Sequence, residues 1–152
     1  MKFNNSRSLL AAGFAITLAC GYVAVSDDGK ASDEKLYGPS REPDRIILTW
    51  DGDPATTQTV TWRTDASVGK PVAQIAESGD GPDFTKAAKK VPVVSQTLEA
   101  ELGPAQYHTA QFTGLEPKTL YSYRVGDGGH WSEWNQFRTA SDRPDPLTFL
   151  YI

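Results

Sequence analysis

Between Arg45 and Thr139 the chain never sustains a helical period. Short runs rich in Thr, Val, Ile, Trp and Tyr alternate with clusters of Gly, Pro and Asp, which is the pattern of an all-β domain. Strands are predicted over Arg45–Trp50, Thr57–Thr64, Val72–Ala76, Val91–Thr97, Tyr107–Thr113, Thr119–Val125 and Trp134–Thr139. Pro92 marks the fourth as an edge strand, because proline cannot donate to a ladder on both sides. Thr57–Thr64 alternates cleanly, with Val60 and Trp62 on one face and Thr59, Thr61 and Arg63 on the other. Lys86–Lys90 has room for one helical turn. Seven short strands over about a hundred residues predict a two-sheet sandwich. Its expected core is Ile47, Val60, Trp62, Ile75, Ala110, Phe112, Leu115, Tyr121, Tyr123 and Phe137. Cys20 is the chain's single cysteine, so packing alone must join the sheets.

Gly114-Leu115-Glu116-Pro117-Lys118-Thr119-Leu120-Tyr121 is a sharper signal. Leu115 caps the core, Pro117 stiffens the turn, and the Tyr121 hydroxyl can bond back to upstream backbone. This is the tyrosine corner of Greek-key sandwiches. It resembles the LxPxTxY pattern of fibronectin type III domains, so the predicted fold is a fibronectin type III-like (immunoglobulin-like) sandwich of about seven strands.

The N-terminal part differs in kind. Lys2 and Arg7 precede an apolar run from Leu9 to Val25, followed by Asp27 and Asp28. A basic start, an apolar stretch and the small residues of Ala24-Val25-Ser26 describe a secretory signal peptide over residues 1–26. An uncleaved membrane anchor and a lipoprotein modified at Cys20 are the alternatives. Thr17 stands where a lipobox prefers Leu. Each reading exports the domain, to the periplasm, the cell surface or the medium. Residues 27–42 are polar, hold Gly29, Gly38 and Pro39, and are predicted to form a flexible tether.

Charge narrows the partners. The chain carries 15 Lys and Arg against 19 Asp and Glu, a net charge of −4. Removing Lys2 and Arg7 with a signal peptide leaves −6. Such a balance argues against a nucleic-acid surface, which needs clustered cations to replace counterions. His108 and His130 lie outside any close metal-ligand spacing. Neither a catalytic nor a metal-ligating nor a cofactor-binding residue is therefore assigned to this chain.

The C-terminal residues carry a different pattern. Residues 141–146 form a stiff polar linker, and Leu147-Thr148-Phe149-Leu150-Tyr151-Ile152 follows. That run is apolar on both faces, as in a strand of a parallel sheet covered by helices. It is read as the first strand of an α/β domain whose remainder is missing. The other reading is a C-terminal strand that pairs with the sandwich edge.

Pro43-Asp44-Arg45-Ile46, Thr59-Val60-Thr61-Trp62-Arg63-Thr64, Tyr107-His108, Gly114-Leu115-Glu116-Pro117, Tyr121-Ser122-Tyr123-Arg124-Val125-Gly126, and Trp131-Ser132-Glu133-Trp134 with Phe137-Arg138-Thr139 together carry a family resemblance. Over residues 43–140 the chain resembles the N-terminal domain of purple acid phosphatases. The resemblance implies a sandwich followed by a metallophosphoesterase domain that starts at residue 147. It implies hydrolysis of phosphate monoesters by the intact protein, with a dinuclear centre of Fe paired with Fe, Zn or Mn. None of the family's metal ligands can be placed on this sequence, so this chain alone is expected to be inactive. Its expected partner is the catalytic domain of the same chain, and a phosphate ester is met only through that domain. Membrane contact is expected only through an uncleaved N-terminal segment. A free-standing fibronectin type III-like binding or adhesion module on an exported surface is the alternative.

Other residues have structural readings. His108 shares parity with Ala110 and Phe112 and is expected to be a hydrogen-bonded interior histidine. His130, beside Gly129, is expected at an exposed hairpin end. Trp131-Ser132-Glu133-Trp134-Asn135 is similar to the WSxWS box of cytokine receptors. There a cation stacks between aromatic faces, and Arg124 and Arg138 are the candidate cations here. Asp51-Gly52-Asp53 and Asp127-Gly128-Gly129 lack the full calcium-loop spacing and are predicted turns.

Overall fold

A computed structural model describes residues 32–146. The expectations on residues 1–26, on Cys20 and on Leu147–Ile152 therefore lie outside the described residues. The element order is α1 (Asp33–Tyr37), β1 (Asp44–Thr49), β2 (Thr57–Asp65), β3 (Val72–Glu77), a 3-10 turn (Pro82–Ala87), β4 (Lys89–Val91), β5 (Val94–Ala100), β6 (Gly103–Thr113), β7 (Leu120–Gly126) and β8 (Asn135–Arg138). The strands form two antiparallel four-stranded sheets, ordered β1-β2-β6-β5 and β4-β3-β7-β8. With its tyrosine corner, this is a fibronectin type III-like sandwich.

The predicted fourth strand is in fact two. Lys89–Val91 pairs with β3 in one sheet, and Val94–Ala100 pairs with β6 in the other. The chain changes sheets at Pro92-Val93, and both pieces are sheet edges. Proline supplies no N–H for a second ladder there, so the run breaks where pairing would otherwise continue. β6 also begins four residues earlier than expected, at Gly103. Pro104 discourages a strand in the sequence, yet it pairs opposite Glu99 on the exposed edge strand β5. Gly103, at φ +108°, supplies the left-handed residue that the tight β5–β6 connection needs. Helical turns occupy Asp33–Tyr37, within the stretch read as a tether, and Pro82–Ala87, just ahead of the expected turn.

The core joins Val60 and Trp62 of β2, Ala73 and Ile75 of β3, Ala110 and Phe112 of β6, Leu115, and Tyr121, Tyr123 and Val125 of β7. The Phe137 ring lies nearly parallel to Phe112 and to Tyr121, with centroids 6.1 and 5.8 Å away. Burying one such side chain contributes about 1.5–3 kcal/mol. Ile47 departs from the expectation: it is 57% exposed, while Ile46 and Leu48 pack inward. The β1–β2 register shifts between Asp44 and Ile47, and Arg45 takes φ +48°. That bulge adds a residue and reverses the parity counted from the strand start.

β2 also departs from a half-wet strand. Thr59 and Arg63, on its outward side, are 5% and 4% exposed. Gln111, directly opposite Thr59, reaches across to donate to the Asp51 carbonyl at 2.6 Å. Arg63 lies under the chain that enters β1.

Candidate functional site

At one end of the sandwich, residues 37–44 form a strap across both sheets. Arg63 donates through Nε and a terminal nitrogen to Asp44, at 2.8 and 2.5 Å, and to the Tyr37 carbonyl at 3.0 Å. The Asp65 amide donates to the Ser40 carbonyl at 2.7 Å. Arg41 Nε donates to Asp127 at 2.8 Å, and His130 Nδ1 lies 2.5 Å from Glu42. Asp127 also accepts from the backbone amides of Gly129 and His130, at 2.8 and 2.7 Å. Those amides, then Arg41, hold its carboxyl well below the usual carboxylate range. Asp127 thus builds a turn, as its sequence setting suggests. His130 sits at the hairpin end as expected, partly exposed, and joins the strap. Gly126 is obligatory here: a Cβ would lie 2.0 Å from the His130 carbonyl oxygen, across the bridge from Gly126 to Trp131.

His108 is fully buried. Its Nε2 lies 2.8 Å from the Thr64 hydroxyl and its Nδ1 2.7 Å from the Ser95 hydroxyl, with the Trp62 ring 5.2 Å away. Either hydroxyl can donate or accept, so a neutral imidazole is satisfied in either tautomer. Burial pushes its pKa below the ordinary histidine value. The triplet ties β2, β6 and β5 together. Its geometry is that of a structural histidine, not of a base facing a substrate.

The aromatic box is an ordered stack. The Arg124 guanidinium lies 4.1 Å from the Trp131 ring centre and 4.7 Å from that of Trp134, and Nε donates to Gln74 at 2.8 Å. Phe84 meets Trp134 edge-on. Arg138, the other candidate cation, instead donates to the Lys118 carbonyl at 2.8 Å. The stack stiffens the β7–β8 side, and cation–π contact stabilises it by about 0.5–2 kcal/mol.

The opposite end holds the tyrosine corner and the exit of the chain. The Tyr121 hydroxyl accepts from the Glu116 amide at 2.9 Å. Thr139 Oγ1 donates to the Glu116 carbonyl at 2.6 Å and accepts from the Thr119 amide at 2.9 Å. Ala140 donates to the Pro54 carbonyl at 3.0 Å. Asp53 accepts from the Ala55 amide at 2.9 Å, so the Asp51-Gly52-Asp53 segment is a turn. A concavity of about 660 Å³ opens near this end between the two sheet edges, floored by Ile75, Phe112 and Leu115 and rimmed by Lys89, Lys90 and Gln111. It exists because β5 stops pairing at Thr109, leaving β6 uncovered to Thr113. No local pattern of residues signals it, since it follows from the split of the fourth strand.

Among the described residues, no three His, Cys, Asp or Glu side chains are grouped so as to hold a metal ion. A dinuclear centre therefore does not fit the residues described. Tyr121 and Tyr123 lie in the core, where burial raises the Tyr123 pKa. No described helix is long and apolar enough to cross a membrane.

Fold and side-chain clusters together define a fibronectin type III-like domain in which Arg63, His108, Asp127 and Thr139 are engaged in holding the sandwich. The family model of the purple acid phosphatase N-terminal domain matches residues 43–139, and the chain belongs to that family. Comparison with curated protein sequences gives no match. Among solved structures, a computationally redesigned β-sandwich protein is 21% identical, with TM-score 0.42, over 67% of this chain and 97% of its own. Astrotactin-2, a vertebrate-specific perforin-like membrane protein, is 17% identical, with TM-score 0.47, over 80% of this chain and 25% of its own.

Proposed function

We propose that this chain is the non-catalytic N-terminal part of an exported purple acid phosphatase. Residues 1–26 serve as signal peptide or anchor, 27–42 as the connection whose last part, 37–42, is strapped to the domain, 43–140 as the sandwich and 141–146 as linker, and the metallophosphoesterase domain begins at Leu147. The intact protein hydrolyses phosphate monoesters, and the family implies a dinuclear metal centre in its catalytic domain. The family match over residues 43–139 carries this reading. The engagement of His108, His130 and Asp127 in structural bonds supports it. The test is p-nitrophenyl phosphate hydrolysis by the 152-residue chain with iron, zinc or manganese. The expected rate equals that of metal alone. Turnover above that blank, abolished by a side-chain substitution in the sandwich, overturns the non-catalytic assignment.

A further inference from the structure

We propose that the outer face of the β1-β2-β6-β5 sheet, on the half nearest the chain exit, receives the next domain of the same chain, with Trp50 as its anchor. The inference rests on the proposed function, which requires a domain after Ile152.

The register sets out the face row by row. Ile47, Thr61, Thr109 and Val94 stand side by side across all four strands. Ile47 and Val94, at the two edges, are 57% and 69% exposed. Thr61 and Thr109 hydrogen-bond to each other at 3.3 Å. The two rows nearer the exit hold only Thr and Gln on that side, and Thr59 among them is already covered by its neighbours. Trp50, at the end of β1, is 72% exposed. The other half of the same face carries Arg63 and Asp65. In a chain with 22% charged residues, the strand positions on half of one sheet face thus carry no charge, with the exposed Trp50 and Asp51 just after β1 and with Lys89 and Lys90 across the neighbouring concavity. Loss of charge with retention of an aromatic residue is the composition of an interface centre, and tryptophan is among the strongest interface anchors.

The exit of the chain selects the occupant. Ala140 is pinned to Pro54, four residues from Trp50 in sequence, and Lys118 donates to the Ala140 carbonyl at 3.0 Å. Residues 141–146 follow, with Pro144 and Pro146, and Lys118 forms an ion pair with Asp145. Six residues span at most about 20 Å. A domain starting at Leu147 is therefore held beside the uncharged half-face, at a high effective concentration that a separate partner lacks.

Amide hydrogen exchange tests this, comparing the 152-residue chain with the longer product of the same gene. In the longer protein, amides of Trp50–Asp53 and Gln111–Thr113 should exchange at least about tenfold more slowly. Trp50→Asp should remove that protection and speed cleavage within residues 141–146. Leu98→Asp, an exposed apolar site at the other end of the sheet, should do neither. Equal exchange in the two proteins, with phosphatase activity in the longer one, overturns the docking face and leaves the family function standing. A reading frame that ends at Ile152, or a longer protein without phosphatase activity, overturns the proposed function and this inference with it. The same protection in the 152-residue chain, produced by self-association or by an added oligosaccharide, assigns the face to that occupant and overturns the inference. Trp50→Asp in the 152-residue chain should keep its thermal midpoint, which separates lost docking from lost folding.

Discussion

The two ends of this sandwich are closed by different chemistry. The end where the chain enters is sealed by charge: Arg63 with Asp44, Arg41 with Asp127, and His130 with Glu42. The end where it leaves is held by neutral hydrogen bonds through Tyr121 and Thr139, with an exposed Lys118–Asp145 ion pair on the linker, and beside it lie an open concavity and an exposed tryptophan. Charged closure is specific but costs desolvation, so it suits a segment that belongs to the domain itself. An open surface whose strand positions carry no charge costs less to bury and suits a later contact.

Asp44→Ala should break the charged end most severely. It leaves a guanidinium that is 4% exposed facing only backbone carbonyls, and uncompensated buried charge costs about 3 kcal/mol. Urea unfolding should show that loss, and proteolysis before residue 44 should accelerate. If the midpoint barely moves, the strap is ornamental to stability and the contrast between the ends fails.

Tyr121→Phe sharpens the other side. It removes one neutral bond to the Glu116 amide while keeping the ring stacked on Phe137, so the expected loss is about 1 kcal/mol. A loss as large as that of Asp44→Ala would mean that the exit end carries as much stability as the entry end.

The smallest effect concerns the interior between the ends. His108 is buried against Thr64, Ser95 and Trp62, and its pKa is depressed in the fold. Below its ordinary value of about 6.5 the unfolded chain takes up a proton that the folded chain refuses. Its stabilising contribution is therefore full above that pH and declines as pH falls toward the folded value. Urea midpoints measured from pH 7.5 to 5 should drop, and His108→Gln should flatten that part of the profile. An unchanged slope in the variant would show that His108 does not carry the pH dependence.

Much of this was legible in the residues. Alternation in Thr57–Thr64 puts Val60 and Trp62 in the core, and the residues of Gly114–Tyr121 mark the corner. His108 was legible from its parity with Ala110 and Phe112. The strap was not: alternation puts Arg63 on the face opposite Val60 and Trp62, and Tyr37, whose carbonyl it binds, lies 26 residues away in a segment with no apolar period. Nor was the outward turn of Ile47, since counting by twos assumes a ladder without bulges.

Local sequence by itself determined where strands form, which side of β2, β6 and β7 faces inward, and where the tyrosine corner turns, because side-chain parity and turn chemistry act over a few neighbouring residues. Only tertiary structure decided that one apolar run divides between two sheets at Pro92, that Arg63 and Thr59 are covered, and that the exit end stays open. Those outcomes depend on which strand edge is free and which distant segment crosses it. Such competition between far-separated parts of the chain leaves no local periodic trace.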